Sequence, residues 1–331
     1  MLKSPRNWPA ITLIVPAYLE STVLKAKIEN LLNNGYEGEA EILVVAEDEE
    51  TATVARTTSA RVVQPETRLG KSRSMNLGVE LASHDIIVFS DANNELLPGA
   101  IEAVVLPLVH GAGCAAGEKI HEEEGESIYW KFESWLKRQE DILGGTIGVC
   151  GELFAVRRDV WKPIPDGISI DDRWIAIDLA ERGHRVAYVP EAKAIEPPFE
   201  PGHLQWERRT RNIGGALFVY YDKRHLLFRR NNLLTFEIWG HGLWRTTIGP
   251  LAHVGLVGLA ASKLHRSRSA RLFLTSQVAA ALAGRLIYEG RDLPAPVAAL
   301  GQVMYLQAVS LAGMRRAIKG DRVTLWPKQE R

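Results

Sequence analysis

Asp85-Ile86-Ile87-Val88-Phe89-Ser90-Asp91-Ala92-Asn93 is an apolar run that ends abruptly in a carboxylate, a small residue and an amide. The apolar part reads as a buried strand. Its end delivers two hard oxygen ligands, Asp91 and Asn93, to the carboxyl edge of a sheet. Ligands bind at that edge in open α/β folds, and hard oxygens suit Mg²⁺ or Mn²⁺. Asp and Asn are also ordinary turn formers after a strand, so the run alone allows both readings.

The flanking sequence decides the fold class. Upstream, residues 11–15 form a short apolar run closed by Pro16, and 22–34 has helical spacing that stops before Gly35. Residues 41–46 and 61–64 read as strands, and 72–82 as a helix with Leu77 and Leu81 four apart. Downstream, 98–109 is helical, with Pro98 near its first turn. Strands alternating with helices predict an α/β fold with a mostly parallel sheet covered by helices. Further on, 127–142 is a long aromatic helix, 144–151 a glycine-punctuated loop and 153–156 a strand. Residues 171–182 read as a helix stopped at Gly183, and 185–189 as a strand. Pro197-Pro198-Phe199-Glu200-Pro201-Gly202 then breaks the chain.

Composition narrows the function. The chain has 331 residues, enough for one large domain or two modest ones. Forty basic residues against forty acidic ones give zero net charge, which argues against a nucleic-acid binder. Cys114 and Cys150 make neither a disulfide framework nor a metal cluster, and read as small buried hydrophobes. The first residues lack the apolar core of a signal peptide, so the catalytic part is expected to face the cytoplasm.

Beyond residue 202 the character changes. Residues 203–245 are basic and aromatic, and apolar segments follow near 246–262, 272–288 and 294–314. Each is about as long as the ~20 residues that span a bilayer, but polar residues interrupt them. Basic links at 263–271 and 315–322 both stay inside if only the last two segments span as a hairpin while 246–262 lies on the inner leaflet. The expected organisation is a catalytic domain over 1–202, interfacial helices over 203–245 and membrane-associated helices over 246–331. A soluble helical bundle is the competing reading.

Several short stretches carry chemistry. Leu69-Gly70-Lys71-Ser72-Arg73-Ser74-Met75-Asn76 places cations and hydroxyls at a helix start, where phosphate is favoured. Gly117-Glu118-Lys119 can set a carboxylate beside a pocket, or be a surface charge pair. Asp171 and Asp172 open a helix; acids are common there for structural reasons, yet such a pair also suits a general base. Gln205-Trp206-Glu207-Arg208-Arg209 offers arginine forks suited to a diphosphate, or a membrane-proximal basic helix.

The order of these stretches resembles the inverting family 2 glycosyltransferases of the GT-A fold, in particular the membrane-associated polysaccharide-synthase-like branch. The resemblance covers about residues 10 to 245. It implies that Pro16, Ala17 and Glu20 sit at the base and ribose of a nucleotide sugar, and that Lys71 lies near the nucleotide. It implies that Asp91 and Asn93 hold Mg²⁺ or Mn²⁺ on the diphosphate and that Asp172 is the catalytic base beside Asp171. Glu118, Gln205, Arg208 and Arg209 fall at the acceptor and diphosphate site. Three departures stand out. Asn93 replaces a second metal acid. Arg209 replaces a tryptophan, which argues against a processive polymerase. Glu47 or Asp48 stands in for the Asp that reads the base. The function implied is transfer of a sugar, expected from a UDP-linked donor, to a glycan or polyprenyl-linked acceptor at the cytoplasmic membrane. A non-catalytic nucleotide-sugar-binding or scaffold subunit is the alternative.

Overall fold

The computed structural model describes residues 2–121, 128–196, 202–230 and 232–320. These fall into two compact units, one within Met1–Pro198 and one within Phe199–Arg322.

The first unit is built on an eight-stranded sheet. Its strands are β1 Ile11–Ala17, β2 Ala40–Ala46, β3 Arg61–Val63, β4 Ile86–Ser90, β5 Glu95–Leu96, β6 Cys114–His121, β7 Leu153–Arg157 and β8 Val186–Glu196. Their spatial order is β3-β2-β1-β4-β7-β6-β8-β5. Strands β3, β2, β1 and β4 are parallel, as the alternating pattern predicts. β7 enters antiparallel between β4 and β6, which makes the sheet mixed. The helices are α1 Leu24–Leu32, α2 Glu49–Arg56, α3 Lys71–Leu81, α4 Ala100–Val109, α5 Ile128–Leu143 and α6 Asp171–Glu181.

Parallel strands covered on both faces should be apolar throughout, and Leu13, Ile14 and Val15 of β1 are buried on both sides. The odd positions Ile11, Leu13 and Val15 share a core with Ile28 and Leu31 of α1 and Val104 and Leu108 of α4. β1 does not stop before Pro16 but runs on to Ala17. Its pairing with β4 ends at Ile14↔Phe89, so Pro16 lies where the strand has only β2 beside it. A proline, which lacks the N–H, is tolerated at such an open side.

Three elements of the first unit, α2, β5 and β6, are absent from the sequence-based expectation. α2 is capped by Asp48, whose carboxylate accepts from the Thr51 amide at 2.9 Å. β6 is rich in small residues, with a register break against β8: Ala116 pairs with Tyr188, and Glu118 with Lys193. Gly117 sits at the break. A Cβ there would stand 2.5 Å from the Ala192 carbonyl oxygen, so only glycine fits without backbone movement.

The second unit is helical: α7 Gly202–Asp222, α8 Leu233–Glu237, a π-helical stretch Ile238–Ile248, α9 Gly249–Ser262, α10 Arg268–Tyr288 and α11 Ala295–Ile318. It takes in both the basic aromatic segment and the apolar segments. α11 is its central helix. A Cβ on Gly284 of α10 would lie 2.9 Å from the Gly301 carbonyl oxygen of α11, so the two backbones nearly touch. On the α7 side, a Cβ on Gly313 would lie 2.6 Å from the Ile213 side chain. Among the described residues only α11 is long and apolar enough to cross a membrane, and 33% of its apolar window is buried within the protein. The expected spanning hairpin thus reduces to one candidate helix; α10 contains Arg268, Arg271 and Arg285. α9 is uncharged, and its Leu251, Val254, Leu256 and Leu259 are exposed.

Candidate active site

The carboxyl edge of β1 and β4 gathers most of the predicted residues of the first unit. Asp91 follows β4 directly. The β4–β7 register pairs Ser90 with Leu153, which brings Glu152 alongside Asp91. The loop after β4 is fixed from beneath. Asn94 donates to the Glu152 carbonyl at 2.8 Å, and the buried Lys27 of α1 donates to the Asn94 carbonyl at 3.0 Å and to its side-chain oxygen at 2.6 Å. Burial pulls the Lys27 ammonium down to about 7, against the attraction of Asp91 and Glu95.

Lys71, the first residue of α3, reaches this edge. Its Nζ lies 2.6 Å from Asp91 Oδ1 and 4.0 Å from Asp171 Oδ2. Burial works against the Lys71 charge, but the Asp91 and Asp171 carboxylates outweigh it and hold the ammonium above its ordinary range. Asp171 and Asp172 occupy the first turn of α6, where the helix dipole favours acids. Asp172 Oδ1 accepts from the Arg173 amide at 2.6 Å. Burial, and then the neighbouring Asp171 carboxylate, push the Asp172 carboxyl up to about 6. A carboxylate that titrates near 6 is suited to accept a proton at neutral pH.

The start of α3 is organised by Glu47. Its buried carboxylate accepts from the Gly70 amide at 3.0 Å and the Ser74 hydroxyl at 2.6 Å. Asp48 is engaged as the cap of α2 and accepts from the Leu19 amide at 2.7 Å. Leu19 has φ 58°, the only positive value outside glycine among the described residues. Such strain persists only where the surroundings enforce it, and here it turns the chain between Tyr18 and the buried Glu20. The Arg68 guanidinium lies 3.8 Å from the centre of the Tyr18 ring. An open cavity of about 300 Å³ runs beside Arg68, Gly70, Ser72 and Ile168. Pro16 and Ala17 are the last residues of β1 and reach the same edge.

Glu118 is buried, and receives hydrogen bonds from the Ser134 and Tyr188 hydroxyls. Its neighbour Lys119 is no surface charge: it bridges Glu152 at 2.7 Å and Glu196 at 2.5 Å. Burial disfavours the Glu152 charge, but Lys119 more than compensates and holds its carboxyl well below the usual range. Sequence reasoning missed Glu152 and Lys27. A charged residue directly before the apolar run of β7, and a lysine on the core-facing side of α1, were the available signals. Gln205, Arg208 and Arg209 lie on α7 in the second unit, where the Arg209 guanidinium stands 5.5 Å from the Tyr305 ring centre.

Among the described residues, no three His, Cys, Asp or Glu side chains are grouped as a metal site. Asp91 and Asn93 offer one carboxylate and one amide oxygen. That set fits Mg²⁺ or Mn²⁺ bound jointly with a diphosphate, because such ions complete their shell with phosphate oxygens and water.

The whole arrangement is that of a GT-A glycosyltransferase fold. A mannosyltransferase, PcManGT from Pyrobaculum calidifontis, solved in complex with GDP-Man and Mn²⁺, matches it with TM-score 0.75 at 20% identity, over 96% of this chain and 92% of that one. Residues 12–163 match the family model for glycosyl transferase family 2. Relatives include a probable glycosyltransferase, YdaM, of Bacillus subtilis (strain 168). It is 23% identical over 65% of this chain and 57% of its own length. An N-acetylglucosaminyltransferase of Mesorhizobium japonicum is 23% identical over 75% and 64%. The chain spans less than two thirds of either relative.

Proposed function

We propose that the protein is an inverting glycosyltransferase that moves a sugar from a nucleotide-sugar donor to a hydroxyl of a glycan or lipid-linked acceptor in cell-surface glycoconjugate synthesis. The observation that carries this reading is the placement of Asp172 at the start of α6, beside the Lys71–Asp91–Asp171 cluster, where burial and the Asp171 charge push its carboxyl up to about 6. Pro16, Ala17 and Glu20 line the edge for the base and ribose, and Glu47 supports the donor by holding the start of α3. Asp91 and Asn93 would hold Mg²⁺ or Mn²⁺, which neutralises charge on a departing diphosphate. Lys71 and the N-terminus of α3 add positive potential for the same phosphates. Asp172 takes the proton of the acceptor hydroxyl, which attacks the anomeric carbon from the face opposite the leaving group. Gln205, Arg208 and Arg209 are assigned to the diphosphate and acceptor, with Glu118 and Asp171.

Asp172→Asn is expected to keep donor affinity and to abolish transfer. Near-normal turnover by that variant removes the assignment. One relative is named an N-acetylglucosaminyltransferase, whereas the solved neighbour holds GDP-Man. A thermal-shift panel of UDP- and GDP-sugars with Mn²⁺ therefore decides whether the expected UDP preference holds, since a bound donor raises the melting temperature. Asn93 favours a second reading, a binding subunit without catalysis. Slow donor hydrolysis with Mn²⁺ in the absence of acceptor distinguishes the enzyme from it. Association with the inner face of a membrane is supported by α11 and by the exposed apolar side chains of α9.

A further inference from the structure

We propose that Lys71 is a resident cation for Asp91, which a divalent ion must displace before it can bind. The inference rests on the reading of Asp91 as the donor-metal residue.

Three observations carry it. Lys71 Nζ is at contact distance from Asp91 Oδ1, 2.6 Å, and stands 4.0 Å from Asp171 Oδ2, so the ammonium occupies the space between two carboxylates. The side chains of Lys71, Asp91 and Asp171 are only 14, 17 and 13% exposed, so solvent and salt screen the cluster weakly. The other carboxylate beside Asp91, Glu152, has a cation of its own, Lys119 at 2.7 Å, which leaves Lys71 to Asp91 and Asp171.

Asn93 makes the balance matter. Two acids after the strand would leave one negative charge for the metal even with a lysine in place. With an amide at 93, the single positive charge of Lys71 already neutralises the strand-end acid. A divalent ion that approaches the donor-free site meets a compensated carboxylate and a like-charged neighbour within a few ångströms. Once a nucleoside diphosphate is bound, its phosphates give the ammonium another anionic partner, and Asp91 becomes available. Metal and donor then bind together, with Lys71 passing from carboxylate to phosphate.

The test is direct Mn²⁺ binding, read from loss of the free-ion EPR signal without nucleotide. The proteins are the wild type, Lys71→Met, Lys71→Arg and Asp91→Asn, with fold checked by circular dichroism. Lys71→Met is expected to bind Mn²⁺ at least tenfold more tightly than the wild type, Lys71→Arg to stay close to the wild type, and Asp91→Asn to lose binding. Lys71→Gln, neutral and of similar length, repeats the measurement if the methionine variant does not fold. A folded neutral variant with Mn²⁺ affinity equal to or below the wild type overturns the proposal. UDP and GDP are added in a second arm. If Mn²⁺ binds the wild type with nucleotide but neutral variants do not gain affinity without it, the displacement idea fails and the metal reading survives. If no protein binds Mn²⁺ even with nucleotide, the metal reading fails as well.

Discussion

At the scale of single residues, chemistry turns on how neighbours set one proton. Asp172 must be ionised to act as base, so the proposed activity rises with pH as Asp172 loses its proton near 6. Burial is the main cause of that elevation and the Asp171 charge the second. Asp171→Asn removes only the like charge. The acidic limb of kcat/KM is therefore expected to move to lower pH by part of the total shift, which a pH–rate profile measures. Asp91, Lys71 and the Asp171-Asp172 pair were legible in the sequence because each sits at an element terminus, where local pattern fixes its direction. The Glu152–Lys119 pair was not. It depends on β7 running antiparallel between β4 and β6, a fact of long-range pairing that no local pattern carries.

At the scale of elements, strands and helices with strong periodicity, such as β4 and α3, were readable. α2 was not, because Glu47 and Asp48 read as candidates for the base contact although Asp48 is a helix cap. β6 escaped because Cys114-Ala115-Ala116-Gly117 lacks the branched residues that mark a strand. Its glycine yields a sharp expectation. Gly117→Ala forces a methyl against the Ala192 carbonyl and should destabilise the first unit by ~1–3 kcal/mol, seen as a lower urea midpoint. α1 contributes another. Between about pH 7, where folded Lys27 titrates, and the ordinary lysine value of 10.5, the unfolded chain holds a proton that the folded chain lacks. Stability then rises with pH across that window. Lys27→Met should abolish this rise, measured as the difference in unfolding free energy between the two proteins from pH 7 upward.

At the scale of the whole molecule, the two units differ in how much apolar surface they leave exposed. The first buries its apolar strands inside a sheet covered by helices. The second leaves Leu251, Leu256, Leu259, Leu272 and Leu282 exposed, with Lys263 and Arg266 between α9 and α10 and Arg268 and Arg271 at the start of α10. The proposed membrane association predicts that the protein floats with anionic vesicles, and that neutralising these four cations, or raising the salt concentration, reduces flotation. The close seam between α7 and α11 has a mechanical consequence. A helix of 24 residues measures ~36 Å, longer than the ~30 Å hydrocarbon layer, so α11 in a bilayer would either tilt or carry its last turn, with Arg315 and Arg316, into the headgroups. Gly313 lets α7 pack hard against it, and α7 bears Arg208 and Arg209. Hydrophobic mismatch would then act as a lever: lipids of different chain length reset the tilt, and with it the helix that presents those two arginines.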